Sequence, residues 1–343
     1  MTWLTWRQFR VQALTAAATL AVFAILLAAT RPHLASLYAA SGITGCHGGA
    51  CGNAASAFLA RLATTSPYSV VYALSIAVIL AAPAIIGVFW GAPLIAREFE
   101  TGTYRLVWNQ SVTRTQWLAV KLALTGLAAM AVTEALSLMQ AWWAGPIGKA
   151  TGLGGSAAPF SGSRFSSWIF ATHGVTLLGY AAFGFALGAA TGVVIRHVVP
   201  AMAVTLAIFA ASQVVMPLWV RPHLFPPDRT VATLQSVQAV SMGTLAPTVV
   251  PGHPGAWIIS GEPINAAGQP AALPTSCAPL PPAKPPSIQA VWHCLGSHGI
   301  REAVTYQPAG RYWAFQWIET GIFLALALAL AGFCFWRLGR RRT

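Results

Sequence analysis

Six stretches of this chain are long and apolar enough to cross a lipid bilayer, and that constrains its fold more than any other feature. A helix needs about 20 apolar residues to traverse the hydrocarbon core. The runs 11–30, 70–95, 117–143, 168–195, 198–220 and 312–336 all meet that length. Charged residues make up only 8 % of the 343 positions, and hydrophobic ones 56 %. A soluble domain carries about 25 % charged residues, so an ordinary soluble enzyme is excluded. Disorder is excluded too, because it requires low hydrophobicity and high charge. The first apolar run is long for a cleavable signal and lacks a small-x-small cleavage site. It is read as a membrane helix, which predicts an all-α membrane protein with six transmembrane helices.

The net charge of +13 would point to nucleic acid in a soluble protein. Here it follows the lipid instead, because short cytoplasmic segments concentrate Arg and Lys. No basic helix or aromatic platform accompanies the charge, so no nucleic-acid partner is expected. With the N-terminus inside, the short inside segments hold Arg7, Arg10, Arg97, Arg105, Arg114, Lys121, Arg196 and Arg337 to Arg342. Both termini are then cytoplasmic, in a multi-pass plasma-membrane protein. The expected domains are a membrane domain (1–220), an external Pro/Gly-rich loop domain (221–311), and a last helix with a basic tail (312–343). The external loop reads as irregular, with a short amphipathic helix over 230–243.

The cysteines fit this orientation. Cys46 and Cys51 fall in the first external loop (31–68), and Cys277 and Cys294 in the second. Four external cysteines suit an oxidising compartment. The simplest pairing is Cys46–Cys51 with Cys277–Cys294, although four cysteines allow three connectivities. A zinc site using His47, His293 or His298 is the rival reading, and no paired CxxC spacing supports it. No metal or cofactor is expected.

Several positions could carry function. Trp3, Trp6, Arg7 and Arg10 are spaced to share one side of a helix, which reads as a helix lying on the inner leaflet. The stretch 96–117 is the longest cytoplasmic loop and holds Glu98 and Glu100, the only acidic residues on that side. Gly102 can end one helix in a left-handed conformation, and Ser111 or Thr113 can cap the next. Such a segment reads either as a docking element for a soluble partner or as a solvated loop. Glu134, His173 and Glu319 lie within apolar runs, where a charge costs about 2.5–3.5 kcal/mol on insertion scales. They must face the bundle interior or a watery cavity, as substrate contacts or as interhelical hydrogen bonds to Gln140, Gln213 or Gln316. Gly184, Gly188 and Gly192 form a G-x-x-x-G-x-x-x-G stripe, which lets another helix approach closely. Pro83 and Pro93 are positioned to kink the second helix. A phosphate loop requires G-x-x-x-x-G-K-[ST]. The nearest string runs from Trp143 to Ala150 and has Trp and Ala at its two ends, so ATP hydrolysis is not expected in this chain.

The opening Met1-Thr-Trp-Leu-Thr-Trp-Arg-Gln-Phe-Arg10, the region Gly87 to Thr103 with Asn109 to Lys121, and the segment Tyr306 to Gly321 together resemble a known family. They are similar to permease subunits of ABC transporters of the type-two exporter superfamily, especially permeases common in actinobacteria. The resemblance implies an N-terminal interfacial elbow helix and a cytoplasmic coupling helix over Arg105 to Arg114. It also implies a second permease copy or paralogue and two copies of a cytosolic ATPase, with membrane lipid as surroundings. Glu98, Glu100, Gly102 and Thr103 match the family's E-x-E-x-G-T pattern. Coupling to the ATPase would then pass through Arg97, Glu98, Glu100, Gly102, Thr103, Arg105 and Arg114. The implied function is outward movement of an amphipathic or hydrophobic substrate, powered by that separate ATPase. A membrane-embedded sensor or scaffold with a ligand-binding external domain is the alternative.

Overall fold

A computed structural model of the chain describes residues 2–46, 50–65, 67–102, 113–155, 157–160, 164–233, 255–272, 274–277 and 288–340. Hydrocarbon offers no partner for backbone N–H and C=O groups, so each apolar run closes its own hydrogen bonds as a helix. Six candidate spans result, at Arg10–Ala39, Tyr68–Thr101, Thr115–Trp143, Thr176–Ile195, Val198–His223 and Ala309–Gly339.

The first helix, α1 (Thr2–Ala39), runs unbroken for 38 residues. At 1.5 Å per residue it is about 57 Å long, well beyond the thickness of the hydrocarbon. No break separates the expected elbow from the span: residues 2–10 are the first turns of the same helix. A short helix α2 (Ala50–Thr64) follows, tied to the preceding loop by the Cys46–Cys51 disulfide.

The second span has three parts. Helix α3 (Tyr68–Ile86) passes into a single π turn at Gly87–Gly91, then continues as α4 (Ala92–Thr101). The irregularity thus falls between Pro83 and Pro93 rather than at either. The third span is α5 (Arg114–Trp143), followed by the short helix α6 (Gly145–Gly152).

The fourth apolar run is not one helix, contrary to the sequence reading. It divides into α7 (Ser167–Thr172) and α8 (Thr176–Ile195), with Gly174 between them at φ 87°. The Gln316 side chain fills the break. Its Oε1 accepts from the Thr176 N–H at 3.0 Å, and its Nε2 donates to the carbonyls of Phe170 and His173 at 3.0 and 2.9 Å. One side-chain amide thus satisfies backbone groups that the interruption would leave unpaired. The fifth span is α9 (Val198–Val215), extended by a π turn to Val220 and a 3-10 turn at Arg221–His223.

Helix α8 is the centre of the bundle. In its apolar window 78 % of residues are buried, against 11–39 % in the other five spans. The glycine stripe explains how it sits there. A Cβ on Gly91 would lie 2.5 Å from the Phe185 carbonyl oxygen, and one on Gly87 2.5 Å from the Gly184 oxygen. One on Gly192 would lie 2.6 Å from the Ala92 oxygen. The stripe therefore packs inside the subunit, against the π turn and the start of α4, with backbone against backbone. Helices α1 and α9 carry large exposed apolar side chains, among them Val22, Ile25, Val199 and Leu206, as lipid-facing surfaces do.

The long stretch before the last helix is not wholly irregular. Strands β1 (Asp228–Thr233), β2 (Trp257–Ile264) and β3 (Arg301–Gln307) form an antiparallel sheet in the order β1-β3-β2. Thr230 stands opposite Val304, and Gly261 faces Val304 from the other side. This corrects the helix expected over 230–243 for its first four residues, and 234–243 lie outside the described residues. Thr230, Val231 and Thr233 are β-branched and fit a pleated surface better than a helix. Helix α10 (Ile288–Ser297) precedes β3, and Cys294 on it is bonded to Cys277. An aromatic cluster of Phe165, Phe170, Tyr312 and Phe315, with Phe225 and Trp257 against it, seats the sheet on the bundle. The last span, α11 (Tyr312–Gly339), starts directly below it.

Replacing Gly91 by Ala should lower the unfolding free energy in detergent by about 1–3 kcal/mol, the usual cost of overpacking. Gly321→Ala on α11, where a Cβ meets nothing within 4 Å, should leave the thermal midpoint unchanged or raised. Equal behaviour of the two variants would show that the glycine seam is not close-packed.

Candidate functional site

The base of the loop between the second and third spans is built by α4 and α5. Helix α4 stops because Gly102 takes φ 72°, a conformation that glycine adopts without steric cost. Helix α5 starts at Thr113, whose side chain accepts from the Gln116 N–H at 3.2 Å, a normal N-cap. Both signals were expected from sequence, with Thr113 rather than Ser111 as the cap.

Glu98 and Glu100 are two residues apart, so on a helix they point to nearly opposite sides. Each grips a different neighbour. Glu98 is buried and its Oε1 is hydrogen-bonded to the Lys121 ammonium on α5. That ammonium also lies 4.7 Å from the centre of the Trp117 ring, a cation–π contact. Thr125 closes the group by donating to the Lys121 carbonyl. Glu100 reaches the other way, to the start of α9. Its Oε2 accepts from the Val198 N–H at 3.3 Å, and its Oε1 lies 3.8 Å from His197 Nδ1. It supplies from a distance the carboxylate that a helix N-terminus favours. Between them, the Phe99 ring packs under the Arg196 guanidinium at 5.6 Å. Arg196 itself has φ 64° and forms the sharp turn between α8 and α9.

The end of the second span is therefore braced to the third span on one side and to the turn between the fourth and fifth on the other. Of the other residues expected here, Arg97 is exposed. Thr103, Arg105, the coupling helix proper and the Arg114 side chain lie outside the described residues, as do the side chains of Trp3, Trp6 and Arg7. Sequence reasoning did not identify Lys121 and His197 as partners. The signal for Lys121 was present: a lone lysine in the first turns of an apolar helix needs a carboxylate.

A second cluster lies at the opposite end of the bundle. Glu319 on α11 is fully buried and holds Arg221 with two hydrogen bonds of 2.9 Å each. Tyr180 on α8 donates to the same carboxylate. The Arg221 guanidinium stacks on Phe170 at 3.9 Å from the ring centre. The planar fork of Arg matches a carboxylate bidentately and also stacks on aromatic faces. Glu319 is thus committed to a structural ion pair joining α8, α11 and the end of the fifth span. His173 is half-buried with Nδ1 near Thr172 Oγ1 and the Ile169 carbonyl, and its own carbonyl accepts from Gln316. Glu134 is half-buried, and its Oε2 has no hydrogen-bond partner. Nor has either amide atom of Gln140, or Nε2 of Gln213. The hydrogen bond expected between Glu134 and these glutamines is therefore not formed.

In the sheet, Glu302 is buried with one carboxylate oxygen unpartnered. Burial pushes its carboxyl up from 4.5 to about 7. Cys277, Cys294 and His298 place ligand-type atoms within 4.8 Å of one another. Both sulfurs are already joined in a disulfide, which leaves no thiolate to bind a metal.

Two outcomes follow from these charges. Arg221→Met leaves Glu319 as an uncompensated buried carboxylate and should cost about 3–5 kcal/mol. The double variant Arg221→Met with Glu319→Leu should recover most of that loss, as read by unfolding in detergent. Glu302 binds its proton more tightly in the folded chain than in the unfolded one. Raising the pH from 4.5 to about 7 should therefore destabilise the sheet, with no further change above that range. Hydrogen exchange of the β3 amides at the two pH values measures this, and Glu302→Gln should flatten the response.

Residues 17–221 match the protein family described as ABC-2 membrane transporter related. No curated protein and no solved structure gives a significant match to the chain. The match covers more than half of the sequence, runs from within the first span to near the end of the fifth, takes in the brace at the loop base, and ends at Arg221. With six apolar helices long enough to cross a bilayer, the chain belongs to the ABC-2 membrane transporter related family and is a multi-pass membrane protein of the ABC transporter permease type.

Proposed function

We propose that this chain is the membrane subunit of an ATP-driven exporter. It pairs with a second permease copy and with two cytosolic ATPase subunits, and it moves an amphipathic or hydrophobic substrate outward. Both termini and the loop following Gly102 lie on the cytoplasmic side. The observation that carries the reading is the double brace at that loop. A force applied to the loop acts on α4, and Glu98 and Glu100 hand it to α5 and α9 together. A solvated connector would need neither a buried Glu98–Lys121 pair nor a carboxylate capping a distant helix. Family membership supports an ABC ATPase as the partner that applies the force.

One observation favours a second reading. The sheet and the Cys277–Cys294 disulfide lie beyond the family match. An added ligand-binding role on the external side, as in a sensor, would use that part.

Affinity purification of the tagged chain from its native membrane should recover an ATPase in near-equal amount. Gly102→Val forces a β-branched residue into a left-handed backbone position, and it should reduce that recovery severalfold while the chain still inserts. Glu100→Ala should leave the ATPase bound but lower transport per ATP hydrolysed in proteoliposomes. Recovery of the chain alone, or full transport by both variants, would overturn the reading.

A further inference from the structure

A groove of about 580 Å³ lies where the fifth span meets the sheet. That volume falls within the range of small-molecule sites, about 300–1,000 Å³. One wall is the last part of the span, including Pro217, Leu218 and His223. The other is the following loop and the first residues of β2, including Phe225, Trp257 and Ile258. Nine of the ten lining residues are apolar, and four of those are prolines.

The lining also offers few side-chain hydrogen-bonding groups, those of His223 and Trp257 alone among its ten residues. Proline has no backbone N–H to satisfy. The Phe225 carbonyl is already taken by Gln307 Nε2 at 2.8 Å, and the Pro226 carbonyl by Arg311 Nη1 at 2.7 Å. The Trp257 wall is held in place by stacking on Phe165, with ring centres 5.7 Å apart and planes 8° from parallel. A sugar or a peptide would lose its hydrogen bonds to water on entering such a groove and gain few in return. A hydrocarbon chain would lose none.

The position of the groove selects which hydrocarbon. Its membrane-side wall belongs to the candidate span Val198–His223. Beside the groove, Leu218 is 61 % and Trp219 72 % exposed, and tryptophan concentrates where helices leave the hydrocarbon. The groove is thus continuous with the lipid-facing surface of α9. His223 is the one titratable side chain in the lining. Its Nδ1 lies 2.7 Å from the Trp219 carbonyl and donates to it, so Nε2 is the ring atom left for an outside partner. Neutral, that nitrogen accepts a hydrogen bond; protonated, it donates one to an anionic oxygen.

We propose that this groove holds one acyl chain of a phospholipid from the leaflet on the sheet side, with the headgroup phosphate beside His223. The site requires only that the chain spans a membrane. It does not depend on the export reading and would persist if that reading failed.

The test uses the full chain in vesicles of phosphatidylethanolamine and phosphatidylglycerol doped with a phosphatidylcholine carrying a diazirine in its tail. After photolysis, adducts are mapped by peptide mass spectrometry. Labelling at 217–227 and 257–259 should exceed labelling on the lipid-facing stretch 204–208 of α9 severalfold. Ile258→Trp and, separately, Leu218→Trp fill the groove from opposite walls, and each should remove the excess while the thermal midpoint stays near that of the parent chain. The two variants guard against misfolding of either one. Labelling no greater than on α9 would mean ordinary annular lipid and would overturn the proposal. So would an excess that survives in both filled variants.

Discussion

Everything else in this bundle depends on how closely α8 approaches the second span. Carbonyl oxygens of one helix lie where the Cβ atoms of the other would have to be. Only glycine allows that approach, and five of them take part: Gly87, Gly91, Gly184, Gly188 and Gly192. In lipid no hydrophobic force drives helices together, so association rests on close van der Waals contact and on small residues. The π turn at Gly87–Gly91 is part of the same solution. It shifts the helix locally, and such turns mark places where a ladder has been adjusted to its surroundings. With α8 held there, the remaining spans collect around it and leave α1 and α9 on the outside.

The charges occupy what this packing leaves. Among the described residues, the bundle holds its two buried ion pairs at opposite ends, Glu98–Lys121 near the loop base and Arg221–Glu319 beneath the sheet. Each is reinforced by an aromatic ring, Trp117 for the lysine and Phe170 for the arginine. Buried ion pairs are often no more stabilising than a well-packed apolar pair of the same volume. What each provides is orientation, since a desolvated carboxylate and cation have one good geometry and many poor ones.

The spans were legible from composition because about 20 apolar residues in a row have few alternatives to a membrane helix. The turn chemistry was legible as well: Gly102 and Thr113 act through local backbone preferences, and local preferences are written locally. The disulfides also follow the simplest pairing. What sequence did not show was who meets whom. Glu319 was visible as an intramembrane acid, but its partner Arg221 sits just past the end of an apolar run and looked like the start of a loop. The break at Gly174 was missed because its repair comes from Gln316, 142 positions away, and no local pattern signals a distant cap. The sheet was missed for a related reason: its strands are short and separated by Pro- and Gly-rich chain, and only their pairing defines them.

The opposed placement of Glu98 and Glu100 has a mechanical corollary. Two tethers on opposite sides of a rod respond differently to sliding and to turning. If α4 slides along its axis, both neighbours are carried the same way. If it rotates, one tether advances as the other retreats, and α5 and α9 are displaced in opposite senses. Under the proposed coupling, the end of the second span would work like a crank. A small twist at Gly102 would become a shear between α5, into which the same loop leads, and α9.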